Sequence, residues 1–206
     1  MKKLNMNIKD YLSVMNHKLL VEGRLDVITR AIVRDIITFF KYQRQGEFGL
    51  PKELTGEEVY DFENLDTKFE IFLDLQQNEN VNGLDVDAEY WDDEQILYIT
   101  IITKPDPSHS ILQDLLKELN EVVRHELEHI KQHEESYDFP KEPKSHEKYY
   151  TQPHELEAQR AGFKRRSKIE KIPMEKMVRD WFEKNKHKYK MKPDQVERVI
   201  QKILER

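Results

Sequence analysis

Hydrophobic positions recur along this chain with two periods, and the switches between them outline the fold. Ile8, Tyr11, Leu12, Met15 and Leu19 fall at helical spacing over residues 7–20, and Gly23 ends that run. A second helix is predicted over about 24–44, with Leu25, Ile28, Ile32, Ile36 and Phe39 on one face and Gly46 beyond its end. Residues 46–66 mix Gly, Pro, Thr and acids, and read as a long connection holding at most a short helix. The period then drops to two. Phe69, Ile71, Leu73 and Leu75 alternate in KFEIFLDL (68–75), and Leu84, Val86, Ala88 and Tyr90 alternate in LDVDAEYW (84–91), so both predict half-buried strands. QILYITIIT (95–103) is β-branched and more continuously apolar, which puts it inside the sheet. DDE (92–94) makes it a hairpin with the strand before.

Helical spacing returns after KPDPSHS (104–110). A helix over about 109–135 carries Leu112, Leu115, Leu116, Leu119, Val123, Leu127 and Ile130 as its buried stripe. A Pro- and Lys-rich loop (138–153) follows, then a helix beginning in QPHELEAQRAGF and reaching about residue 170. Two shorter helices, 173–185 and 192–204, each have Pro near the start, where its missing N–H is harmless. Helices, a small sheet, then helices again predict an α+β protein. We expect one domain over 1–206: N-terminal helices and connection (1–66), a sheet with two functional helices (67–170), and basic C-terminal helices (171–206).

Composition narrows the chemistry. The 206 residues include no cysteine, which excludes disulfides, thiolate zinc sites and cysteine nucleophiles. The longest apolar stretches, such as IITFF (36–40), are far too short to span a bilayer, and MKKLNMNIKD has no apolar segment behind its basic start. A soluble, cytoplasmic protein with no membrane partner is expected. The net charge of −6 divides unevenly: residues 1–140 carry 15 Lys and Arg against 29 Asp and Glu, whereas 141–206 carry 19 against 11. The basic end includes KNKHKYKMK (184–192), but no aromatic ladder or nucleic-acid motif accompanies it. A face docked on the acidic half is the expectation, and nucleic acid is not an expected partner.

HELEH (125–129) has the form H-E-x-x-H. On a helix, residues i and i+4 stand about 40° apart and roughly 6 Å along the axis, so His125 and His129 can present nitrogens to one ion. Zinc is the expected cofactor, with Zn–N distances of about 2.0–2.1 Å. Glu126 sits beside the first ligand and can reach a zinc-bound water, whose pKa falls to about 7, without occupying the metal. That is the position of a general base. His133 extends the series to i+8, but a helical rise of roughly 12 Å from His125 keeps three such side chains from one tetrahedral ion. The third ligand should come from PHELEAQRAG, where Ala158, Ala161 and Gly162 form a small-residue face for close helix approach. At about 100° per residue, Glu155 lies roughly 65–70° from the centre of that face and Glu157 roughly 90–95°, a modest preference for Glu155 with Glu157 as the alternative.

Strand hairpin, H-E-x-x-H helix, loop and a helix bearing E-x-E-A together resemble the minimal zincin core, over roughly residues 84–170. In particular the chain resembles gluzincin metallopeptidases, and YY…PHELEA…AG is similar to small zincin-like proteins of bacteriophages. The resemblance implies that His125, His129 and Glu155 hold zinc, that Glu126 is catalytic, and that a peptide or protein is the substrate. It also implies a cytoplasmic location, in the host if the chain is phage-encoded. Gluzincins often have Asp four residues after the ligand Glu; here that residue is Gln159, whose amide oxygen can orient a histidine N–H but raises its basicity less. The oxyanion-stabilising residue stays open among Tyr149, Tyr150, His146 and His154. An extended substrate is expected to pair with an edge strand, for which 84–91 is the candidate. Two other readings stand beside the peptidase: a catalytically inactive zinc-binding structural or interaction protein, and a nucleic-acid-associated protein acting through its basic end.

Overall fold

Apolar residues at every second position give a strand one greasy face, and here helices cover that face. The computed structural model describes residues 23–38, 53–62, 67–81, 83–104, 111–140, 143, 145–186 and 188–205. The expected helix at 7–20, and positions 39–44 of the second one, lie outside these residues. In chain order the elements are helical residues 23–38 (α1), then strands Glu53–Phe62 (β1), Thr67–Gln77 (β2), Leu84–Trp91 (β3) and Ile96–Thr103 (β4). Helices Ile111–Glu134 (α2), His146–Tyr150 (α3), Pro153–Glu170 (α4), Met174–Lys184 (α5) and Pro193–Leu204 (α6) follow. The class is α+β, as the two periods imply.

The strands form one sheet in the order β1-β2-β4-β3. β3 and β4 pair antiparallel as the predicted hairpin, with Tyr90 opposite Leu97 and Ala88 opposite Ile99, and β3 ends the sheet on that side. β4 is interior, flanked by β2 in parallel on its other side. The connection expected over 46–66 is corrected by β1, which pairs antiparallel with β2 through a register shift between Gly56 and Tyr60. Its sequence, ELTGEEVYDF, lacks sustained alternation because it borders the sheet and, among the described residues, is paired along one side only. The loop expected over 138–153 likewise contains α3, started by Ser145, whose hydroxyl accepts from the Lys148 N–H at 3.4 Å.

Leu25, Ile32, Val33 and Ile36 of α1 and Leu115, Leu119, Val123, Leu127 and Ile130 of α2 pack on Phe69, Ile71, Leu97, Ile99 and Ile101 of the sheet. Each such side chain contributes about 1.5–3 kcal/mol on full burial. Leu116, expected in the α2 stripe, is 38 % exposed instead. A second apolar cluster joins Phe163 of α4 to Val178 and Phe182 of α5 and Val199, Ile200 and Ile203 of α6. The basic end is tied to acids elsewhere: Lys184 to Glu118 at 2.8 Å, Lys188 to Asp85 at 2.6 Å, and Arg198 to Glu147 at 2.8 Å. No helix among the described residues is long and apolar enough to cross a membrane.

Between these two clusters α4 lies against α2, and Gly162 sets how closely. A Cβ at that position would stand 2.8 Å from the Glu121 carbonyl oxygen, a distance that forces something to move. Removing the Cβ lets the helix bearing Glu155 settle against the helix bearing the two histidines.

Candidate metal centre

His125 and His129 lie one helical turn apart on α2 and aim their Nε2 atoms at one point, 3.1 Å from each other. Glu155, in the first turn of α4, reaches the same point, with Oε1 3.3 Å from His129 Nε2 and Oε2 3.8 Å from His125 Nε2. Ligands about 2.0–2.1 Å from a tetrahedral zinc stand roughly 3.3–3.4 Å from one another; the 3.1 and 3.3 Å separations lie close to that, and the 3.8 Å one, to the other carboxylate oxygen, is longer. The three residues form a group whose ligand atoms all lie within 4.8 Å of one another. Glu155 is only 4 % exposed, and its Oε2 has no hydrogen-bond partner. A buried carboxylate oxygen left without a donor is costly unless a cation meets it, so the residues fit a metal ion.

The surroundings set the protonation of each group. Burial, reinforced by His129, pushes His125 down to about 3, leaving the neutral imidazole that ligation requires. Burial also opposes a charge on His129, but the Glu155 and Glu126 carboxylates outweigh it and hold this histidine up at about 9. Glu155 is held below the ordinary carboxylate range: burial works against its charge, and His129, His125 and Tyr149 overcome it. His129 Nδ1 stands 2.9 Å from the amide oxygen of Gln132, which accepts its proton and leaves Nε2 to face the ligand point. The Gln132 amide nitrogen donates to the His154 carbonyl at 3.1 Å and to Glu157 Oε2 at 3.4 Å, so one side chain orients a histidine and anchors the first turn of α4.

Gln132 is the residue that motif reasoning passed over. Its signal is its place three residues after His129, on the same helix face. Gln159, expected to orient a histidine, is buried with an Oε1 that meets no donor. Glu157 lies outside the His125–His129–Glu155 group, beside Gln132, and so does His133, which pairs with Asp92 at 3.3 Å and stacks on Phe139 with centroids 4.3 Å apart.

Glu126 faces the strand next to the histidines. Its Oε2 accepts the Tyr90 backbone N–H at 3.1 Å, and its Oε1 lies 3.7 Å from His125 Nε2. Burial pushes this carboxyl up to about 8, with His129 and the Tyr90 N–H pulling the other way. Among the oxyanion candidates, Tyr149 lines the hollows on both sides of the centre, and burial and Glu155 hold its phenol well above the ordinary range, so it stays an O–H donor. Tyr150 turns toward Trp181 and Phe182, while His154 packs between Tyr137 and Phe139 with its Nε2 3.9 Å from Glu155 Oε1. His146 is exposed at the start of α3 and lines neither hollow.

The cleft has two parts that meet at Asp87 and Ala88 of β3. An inner hollow of about 330 Å³ runs between β3, α2 and α5 toward Trp181 and Lys188. An outer one of about 370 Å³ opens past Tyr90, His133 and Phe139. A larger hollow of about 670 Å³ lies against Asp26, Arg124 and Arg160 and includes none of His125, Glu126, His129 or Glu155.

In comparisons with known proteins, no family model, no curated protein and no solved structure matches this chain.

Proposed function

We propose that the protein is a zinc-dependent metallopeptidase of the zincin-like, gluzincin type, with His125, His129 and Glu155 as metal ligands and Glu126 as general base. The observation that carries this reading is the convergence of two Nε2 atoms and the Glu155 carboxylate on one point, with a second carboxylate, Glu126, beside it in the cleft. Zinc bound there would supply Lewis acidity, polarising a peptide carbonyl and a bound water. The protein's own residues do the rest. Glu126, fixed by the Tyr90 N–H, takes a proton from water at the centre and returns it to the leaving amine. Tyr149 offers its O–H to the developing oxyanion. β3, which ends the sheet among the described residues, is the edge along which an extended peptide would lie, with its Tyr90 and Ala88 N–H groups already taken by Glu126 and Asp87.

A zinc-binding protein without turnover is the second reading, because the Glu126–Tyr90 bond would fasten β3 to α2 even if no proton ever moved. One variant separates the two. Glu126→Gln keeps an oxygen that can accept from Tyr90, so it should fold and bind one zinc while losing at least about a hundredfold in cleavage of an unfolded protein. Elemental analysis and a chelator-reversible cleavage assay check this. Zinc-loaded wild type that cleaves nothing would leave the structural reading, and no zinc at all would end both.

A further inference from the structure

β3 carries an acid at every second position, Asp85, Asp87 and Glu89, along the edge that borders the candidate metal centre. These carboxylates are not equivalent. Asp85 is taken up by Lys188 at 2.6 Å. Across the cleft Glu118 is held by Lys184 at 2.8 Å, and Glu121 by Arg166 at 2.6 Å. Asp87 and Glu89 have no cationic partner among the described residues, and both line the cleft.

The direction of Asp87 follows from its backbone neighbours. Tyr90 sends its N–H away from β4, into Glu126, and Ala88, two residues earlier, sends its N–H the same way. Asp87 Oδ1 accepts from the Ala88 N–H at 3.1 Å, which brings the carboxylate round to the open edge of β3. Asp87 there borders both hollows, and its charge is felt by Glu126 and by Tyr150. The inner hollow supplies two more features that suit a cation. Gln159 lines it, and this residue is 7 % exposed with an amide oxygen that meets no donor. Trp181 and Tyr150 add aromatic walls, against which the stem of a long side chain packs and a guanidinium is attracted to a ring face. An unpaired carboxylate, a buried acceptor without a donor and aromatic walls together describe a receptor for arginine or lysine.

We propose that the cleft selects peptides with an arginine or lysine side chain close to the bond presented to the centre, with Asp87 as the principal specificity residue and Glu89 as its support. The inference rests on the metallopeptidase reading of the same cleft.

The test measures binding and cleavage separately. Fluorescent peptides differing at a single position, Arg against Gln against Glu, are titrated by anisotropy into zinc-loaded Glu126→Gln protein, and the same set is assayed for cleavage by wild type. The Arg peptide should bind about tenfold more tightly than the Gln peptide and weaken as salt rises. Adding Asp87→Asn should remove most of that preference, adding Glu89→Gln as well should abolish it, and Asp87→Lys should favour the Glu peptide. Zinc content should stay unchanged throughout. Equal affinity for the Arg and Gln peptides, or a preference that survives Asp87→Asn/Glu89→Gln, would overturn the proposal. Cleavage by wild type without that preference would refute the specificity and keep the peptidase, whereas an Asp87-dependent preference in binding without any cleavage would uphold the recognition and refute the peptidase.

Discussion

The amide oxygen of Gln132 stands 2.9 Å from Nδ1 of His129, while the amide nitrogen of the same side chain holds the backbone carbonyl of His154, the residue before Glu155. One glutamine thus links a histidine on α2 to the turn that delivers the carboxylate from α4. Gln132→Ala should weaken zinc binding by about 10–100-fold, the usual loss when a partner of a metal-bound histidine is removed. Competition against a chromophoric chelator measures this. An unchanged affinity would mean that His129 needs no partner and that α4 is anchored by other contacts.

The choice between the two glutamates of HELEA can be tested directly. Glu155 has its oxygens 3.3 and 3.8 Å from the two histidine nitrogens, whereas Glu157 touches Gln132 from outside the group. Glu155→Ala should therefore lose most of the zinc. Glu157→Ala and His133→Ala should keep near-stoichiometric metal with affinities within about tenfold of wild type. The reverse ranking in elemental analysis would move the third ligand.

Gly162→Ala separates local from tertiary effects. In an exposed helix interior, replacing Gly by Ala gains about 1 kcal/mol. Here the added Cβ would meet the Glu121 carbonyl at 2.8 Å, and overpacking of that kind costs typically about 1–3 kcal/mol. The contact is with backbone, which yields less readily than a side-chain end, so we expect net destabilisation together with weaker zinc binding as α4 is pushed from α2. A variant more stable than wild type in denaturant titration would show that the helices do not depend on that approach.

Most of the helices, the β3–β4 hairpin and the pairing of H-E-x-x-H with a later helix are legible in the sequence because their signals are local. Leu84, Val86, Ala88 and Tyr90 announce β3 by alternation, and the α2 stripe by its spacing, although Leu116 shows that an apolar residue at the rim of a stripe can face solvent. What escapes is non-local or one-sided. β1 borders the sheet and carries Gly56, Glu57 and Glu58 where a buried strand would alternate, and nothing in KFEIFLDL reveals that it pairs in parallel with a strand beyond the next one. The candidate site divides in the same way. The two histidines and Glu126 follow from one motif, but Glu155 is separated from Glu157 only by a modest difference in helical angle. Gln132 goes unnoticed because a glutamine three residues past a histidine is common on any polar face, and it gains meaning only when the His154 carbonyl arrives from another helix.

Proton competition makes zinc affinity depend on pH. His129 is held up at about 9 because Glu155 and Glu126 outweigh the burial that opposes its charge, so near neutrality it carries a proton that zinc must displace from Nε2. His125, held down at about 3 by burial, has none to lose. Apparent zinc affinity should therefore rise about tenfold per pH unit from roughly pH 6.5 and level off near 9, one proton leaving with each ion. The chelated protein should move the other way. A group with a raised pKa contributes stability that is fully present below its unfolded value and lost as pH rises through its folded one. For His129 that window runs from 6.5 to about 9, and for Glu126, pushed up to about 8 chiefly by burial, from 4.5 to about 8. The chelated form thus loses stability toward alkaline pH while the zinc-loaded form does not, and the gap in Tm between them should widen from pH 6.5 to 8.5. Calorimetry in buffers of different ionisation enthalpy counts the released proton. A zinc affinity that stays flat across this range would mean that His129 binds no proton where the ion is meant to sit.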